Sequence, residues 1–330
     1  MLRLCATRRG LLALAALPAA RPALAGTSVP EAATLLAPGP EEGPAAGFAE
    51  RAARGLARGL VQASALRVSI VGGPDGITAA NRFAASTPAD GRVLLVLPGL
   101  AAQALLLGDG RARFEPRHWP AVTASLGPVL LAGRGDLSET QPIRIALPAP
   151  TAPEAAGLLA LDLLGRPATP LLVAAGVAPE AAVAAGAADA VLLSGRNLLA
   201  RASALSLQPW LTFDGGTAVR EPALPGVPTL GELLPDPARP DLLAAARAAA
   251  ASLRVQGVLV LPALTSSDTV ALWRGAARRW AEEELEGAEA ETRRIAAEDA
   301  AAALATLCPP SEVALAYRDW LRRRLGFQTG

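Results

Sequence analysis

Few residues in this chain have the type and spacing for covalent chemistry. The single histidine, His118, sits in Arg117-His118-Trp119-Pro120 with no second imidazole to share a metal or relay a proton. A lone histidine of this kind is a surface or packing residue. Of the two cysteines, Cys5 lies near the start and Cys308 in a helical pattern, so no zinc site can be built from thiolates. No serine occupies a nucleophile elbow, no two ligands have metal spacing, and no P-loop is present. Gly72-Gly73-x-x-Gly76 follows a strand pattern, but it is not a dinucleotide fingerprint, and its glycines suit a turn. The chain therefore offers no catalytic constellation and no cofactor or metal motif. A catalytic pair assembled only in space is the one enzymatic reading the sequence leaves open. The chemistry that remains is non-covalent recognition.

The clearest frame for recognition is residues 169–197. A short apolar run from Pro170 to Val173 predicts a buried strand, ending at Gly176. Pro179 and Glu180 then open a short alanine-rich helix. Proline loses no needed N–H in the first turn, and the carboxylate meets the positive helix end. Gly186 suits the helix exit. Asp189 leads into a second strand, Ala190 to Leu193, with Ser194, Gly195 and Asn197 at its carboxyl end. In an open parallel sheet that end faces the ligand crevice. Taken alone, this is also the pattern of an ordinary β-α-β unit with no site.

The rest of the chain reads as further strands and helices, with no internal repeat beyond an alanine bias. A lead-in at residues 31–37 runs into the loop 38–44 and a helix over 45–60. Strands are predicted at 65–71, 93–97, 143–147, 207–213 and 255–261, and helices at 77–86, 154–164 and 241–253. Ser267 or Asp268 is the predicted cap of a helix holding Trp273 and Trp280. Residues 282–306 read as a solvated helix pair, and Pro309-Pro310-Ser311 precedes a last helix with Tyr317 and Trp320. The tryptophans, at helical spacing, read as core. The chain's 330 residues suffice for two domains. It contains no lysine, and asparagine occurs only at Asn81 and Asn197.

The first 25 residues read as a targeting segment. Arg3, Arg8 and Arg9 precede a short apolar run, Leu11 to Leu17, and Ala23-Leu24-Ala25 forms a small-x-small cleavage site before Gly26. That run is far short of the about 20 residues that span a bilayer. Thr7-Arg8-Arg9-Gly10-Leu11-Leu12 fits a twin-arginine signal, and the segment fits a general secretory signal equally. Cleavage after Ala25 removes four arginines and no acids, taking the formal charge from +1 to −3. No basic balance for nucleic acid is left. Cys308 is then the only cysteine, without a disulfide partner.

Several stretches carry a family resemblance. Gly176-x-x-Pro179-x-Ala181 followed by Ala185-Gly186-x-x-Asp189 resembles the Bug/TctC periplasmic solute-binding proteins, which serve tripartite tricarboxylate transporters. The Gly-rich turn at 72–76, a short helix, the turn Pro88-Ala89-Asp90-Gly91 and the strand ending at Pro98-Gly99 keep the family's order. So does the segment opening with Phe114-Glu115-Pro116, after which the resemblance implies a crossing strand at Gly127 to Ala132. Pro222-Ala223-Leu224-Pro225-Gly226-Val227-Pro228-Thr229-Leu230 is the most similar stretch.

The resemblance implies an α/β, two-lobed periplasmic binding protein of type II-like form, with a ligand cleft between lobes. One lobe comprises residues 26–127 plus 258–330 and the other 128–257, with crossings near 127 and 257 as the hinge. It implies a periplasmic receptor that needs no cofactor and hands a small organic ligand to membrane transporter subunits. The alternative is a degenerate member acting as a periplasmic sensing or interaction module without a tight ligand. In the family two loops, each opening a helix, hold a ligand carboxylate through backbone N–H groups. Carried over, the first loop gives Gly39, Pro40, Glu41, Glu42 and Gly43, and the second gives Ala149, Thr151 and Ala152. Pro98, Gly99, Gln103, Ser194 and Asn197 line the remaining walls. This chain departs from the pattern at both loops. Glu41 and Glu42 stand in the first, and Pro148, Pro150 and Pro153 remove three N–H donors from the second, which has no glycine. The expectation is that tricarboxylates bind poorly and that a monocarboxylate or an uncharged molecule binds instead.

Overall fold

The computed structural model describes residues 30–60, 64–214, 220–284 and 293–328. The targeting segment read at 1–25 lies outside the described residues. In chain order the elements are β1 (Ala32–Ala37), α1 (Pro44–Gly59), β2 (Ala65–Ile70), α2 (Ile77–Ser86), β3 (Val93–Leu97), α3 (Gly99–Leu107), β4 (Ala121–Leu126), β5 (Val129–Gly133), β6 (Ile143–Leu147), α4 (Ala155–Leu163) and β7 (Ala168–Leu172). They continue with α5 (Pro179–Ala184), β8 (Ala190–Ser194), α6 (Leu198–Ala204), β9 (Gln208–Thr212), α7 (Leu230–Leu233), α8 (Pro240–Arg254), β10 (Val255–Val260), α9 (Ser267–Glu284), β11 (Arg293–Ile295), α10 (Ala297–Leu307) and α11 (Ser311–Leu325).

Two mixed sheets result. The first has the order β11-β4-β10-β3-β1-β2 and the second β7-β6-β8-β5-β9. The chain crosses from one sheet to the other between β4 and β5 and returns at the α8–β10 junction, where Val255 pairs with Leu126. The central strands β3 and β8 are apolar on both faces, as strands covered by helices on each side require. In β3, Leu95 and Leu97 join one core and Leu94 and Val96 the other. In β8, Ala190 and Leu192 face one core and Val191 and Leu193 the opposite one. Trp273 and Trp280 are buried in the core beside α1.

Four local expectations are corrected. The lead-in at 31–37 is a full strand, β1, paired with β2 and β3 near the middle of its sheet. The strand at 170–173 is not buried. β7 is an edge strand paired only with β6, and Leu172 is exposed because the six-residue α5 buries only Val183. The stretch read as a helix pair contains β11, whose Arg293 and Arg294 hide a strand that exists by pairing with β4. The cap of α9 is Ser266, whose hydroxyl accepts from the Thr269 N–H at 3.3 Å.

The helices between the sheets decide how the lobes meet. Helix α8 packs against α3, α4, α10 and α11. Val313, Tyr317, Trp320 and Leu321 of α11 share a core with β5, β6 and α4, as does Leu106 of α3. Helix α11 packs against α8 and α3, and its Trp320 donates to Asp162 of α4 at 3.0 Å.

Candidate functional site

Strand polarity sets the candidate loops at the ends of the two sheets where the chain crosses between them. β10 runs antiparallel to β3 and to β4, so Leu97 and Leu126 end at the side where β10 arrives from the other sheet. β1 and β2 run parallel to β3 and end there too. In the second sheet Val129, just past the crossing, pairs with Ser194. β8 therefore ends beside the crossing, and so does β6, which runs parallel to it. The carboxyl ends of the parallel strands in both sheets face one inter-lobe cleft, the usual place for a ligand in such sheets.

On the first-lobe side, the loop with Gly39, Pro40, Glu41, Glu42 and Gly43 joins β1 to α1. Its Gly43 N–H donates to the Pro40 carbonyl at 2.9 Å, and the Gly39 N–H donates to the Gly72 carbonyl at 3.3 Å. A Cβ on Gly39 would stand 2.7 Å from that carbonyl oxygen, so glycine is required for the two loops to touch. Glu41 and Glu42 are exposed. Helix α1 begins with Pro44 and has no side-chain cap. The neighbouring turn places Gly76 at φ 71°, against the Pro98 ring. Asp75 accepts there from the Ile77 N–H at 3.2 Å.

Pro98 and Gly99 open α3, and Gly99 lies against the Ser252 carbonyl of α8. One turn on, Gln103 is 4% exposed. Its amide N–H donates to the Thr151 carbonyl at 3.1 Å, and its Oε1 accepts from the Ser252 hydroxyl at 3.3 Å. One side chain thus ties α3, α8 and the second loop together across the lobes. The Tyr317 hydroxyl lies beside Gln103, fully buried, yet it makes no hydrogen bond within 3.5 Å. Burial pushes that phenol well above its ordinary range, with Glu154 adding to the rise.

The second loop, with Ala149, Thr151 and Ala152, is closed on itself. Ala152 N–H donates to Ala149 at 3.2 Å, Ala155 to Ala152 at 3.0 Å, and Ala156 to Pro153 at 3.0 Å. With prolines at 148, 150 and 153, most of the donors a carboxylate could use are absent or already committed. Glu154 follows, half-buried. Burial raises its pKa, its own backbone N–H opposes that, and the nearby Glu180 adds to the rise. Ser194 and Asn197 stand at the end of β8. Arg201 donates to the Ser194 carbonyl at 2.7 Å and also pairs with Glu180. Asn197 adopts φ 55° at the start of α6.

Of the expected residues, the structure joins Gln103 directly to Thr151. The Gly39–Gly43 loop touches the 72–76 turn, and Ser194 touches β5 and Arg201 of α6. Sequence reasoning missed Ser252 and Tyr317, and the cavity of about 520 Å³ that Gln103 and Thr151 share with Asp75, Leu100, Arg111 and Phe327. Gln103 and Ser252 are 149 positions apart, and no local spacing signals such a pair. Among the described residues no cluster of His, Cys, Asp and Glu could hold a metal ion, and no helix is long and apolar enough to cross a membrane.

No protein-family profile matches the chain, and no curated protein does. Solved structures match over nearly the whole length. A TctC solute-binding protein from Polaromonas, without ligand, superposes with a TM-score of 0.66 at 14% identity, covering 88% of this chain and 98% of its own. The chain has the two-lobed α/β fold of the TctC solute-binding proteins. An adipate-bound protein of Rhodopseudomonas palustris superposes on the chain with a TM-score of 0.53 at 16% identity, over 92% of this chain and 100% of its own. MatC of the same organism, with bound malate, gives 0.51 and 19%, over 88% and 98%. The TctC fold accounts for the order of the parallel units that the motifs at 72–99 and 176–189 mark out.

Proposed function

We propose that this protein is an exported solute-binding receptor that captures a small organic molecule in the cleft between its two lobes. The observation carrying the reading is the convergence of strand ends. The carboxyl ends of β1, β2, β3, β6 and β8 all open on one cleft, in a fold whose solved relatives hold malate and adipate. The hinge is assigned to the crossings near residues 127 and 257. Delivery to the membrane subunits of a tripartite tricarboxylate-type transporter is the matching physiological role, and the periplasm the matching compartment.

The residues assigned to the cleft are Gly39, Pro40, Glu41, Glu42, Gly43, Pro98, Gly99, Gln103, Ala149, Thr151, Ala152, Ser194 and Asn197. Their work is to bind and orient, since none is placed as a nucleophile or general base. Native purification from a periplasmic extract, followed by mass spectrometry of the released small molecules, tests the reading. One molecule at near one-to-one stoichiometry is the expected result. A protein that carries no ligand and shows no thermal shift with any fraction of the extract contradicts it, and favours the sensing or interaction module.

A further inference from the structure

We propose that the cavity between α3, the 148–154 loop and Phe327 binds an uncharged, largely apolar molecule carrying one hydrogen-bonding group. This rests on the receptor reading and specifies its ligand. The cavity's volume of about 520 Å³ is in the range of small-molecule sites. Ile77, Leu100, Leu107 and Phe327 give it apolar walls. Leu100 is 41% exposed, a large aliphatic side chain turned to open space. Gly326, in the left-handed region at φ 67°, ends α11 and turns the chain back, so that the Phe327 N–H donates to Leu321 and the ring reaches the wall.

Charge decides the ligand class. Among the described residues lining the cavity Arg111 is the one cation, and it is already engaged. It pairs with Asp109 at 2.6 Å and with Asp75 at 3.3 Å. Its contact holds the Asp109 carboxyl below the usual range, so that acid stays ionised. Asp75 is further committed to the Ile77 N–H. One cation shared by two carboxylates leaves a net negative wall, which repels a carboxylate ligand and leaves it no unpaired cation. The polar contact falls instead to Gln103 and Thr151. The Gln103 amide has a second N–H beyond the one given to Thr151, and no partner is formed by the Thr151 hydroxyl among the described residues. The Tyr317 hydroxyl behind Gln103 offers that amide an alternative partner when a ligand displaces it from Thr151.

The test uses the mature chain and N-phenyl-1-naphthylamine, an uncharged apolar fluorophore with one N–H. Its emission should rise saturably with one site per chain. Leu100→Glu should weaken binding at least tenfold at unchanged melting temperature, Phe327→Ala should weaken it severalfold, and millimolar adipate should neither displace the probe nor shift the melting temperature. Equal probe binding by wild type and both variants overturns the proposal. Adipate stabilisation without probe binding also overturns it, while the receptor reading stands. If neither probe nor adipate binds and no small molecule co-purifies, both fall.

Discussion

Glu154 places a carboxyl, half-buried, beside Glu180 and the Tyr317 phenol, where ionisation is disfavoured. Its folded-state pKa lies above its ordinary value, so the folded chain binds this proton more tightly than the unfolded one. The contribution to stability is therefore full below the ordinary carboxyl range near 4.5 and is lost as pH rises through the elevated folded value. Glu154→Gln should raise the melting temperature at pH 7, and the gain should shrink toward pH 4 in calorimetry. A variant less stable than wild type at pH 7 would show that the carboxylate has a favourable partner. Cys308 makes a second prediction at this scale. Burial pushes its thiol up to about 12, so at pH 8 the thiolate is scarcer than in a free cysteine by on the order of a thousandfold. Native protein should resist iodoacetamide for hours and react once unfolded in guanidinium. The sequence could show that Cys308 lacks a partner, but not that it is buried, because burial comes from residues far along the chain.

Elements with strong internal patterning were legible in the sequence. Residues 77–86, 93–97 and 143–147 match α2, β3 and β6 residue for residue, because an apolar period and flanking turns fix them locally. Elements that exist only through partners were not. β1 lacks a clear alternation and is defined by its pairing with β2 and β3, and β11 carries two arginines. The same limit governs the site. The loops could be placed in order, whereas the bond from Gln103 to Thr151 and the contact of α3 with α8 depend on tertiary packing. Gly99 is where that packing is tightest, since a Cβ there would run into the Ser252 carbonyl. Gly99→Ala should cost about 1–3 kcal/mol in chemical denaturation by forcing the two helices apart. The bond from Gln103 to Ser252 lies one turn away and should loosen with it. An unchanged denaturation midpoint would mean that α8 yields without strain.

In the whole molecule, the two sheets are joined by more than the two chain crossings. Helices α3, α8 and α11 carry side chains into a shared core with the second sheet, so any hinge movement must keep that core intact. The expected motion is a limited opening of the cleft at the 98–104 and 148–157 segments rather than a wide separation of lobes. Export is the companion prediction. The intact mass of protein recovered from the periplasm should correspond to a chain beginning at Gly26, and a full-length product held in the cytoplasm would contradict it. The central claim is that a ligand sits between the lobes, and hydrogen–deuterium exchange with the small molecules released from native protein tests it most directly. Simultaneous protection of residues 98–104 and of residues 148–157, across the cleft from them, is expected. Protection confined to one lobe, or found only at segments away from these two, would contradict it.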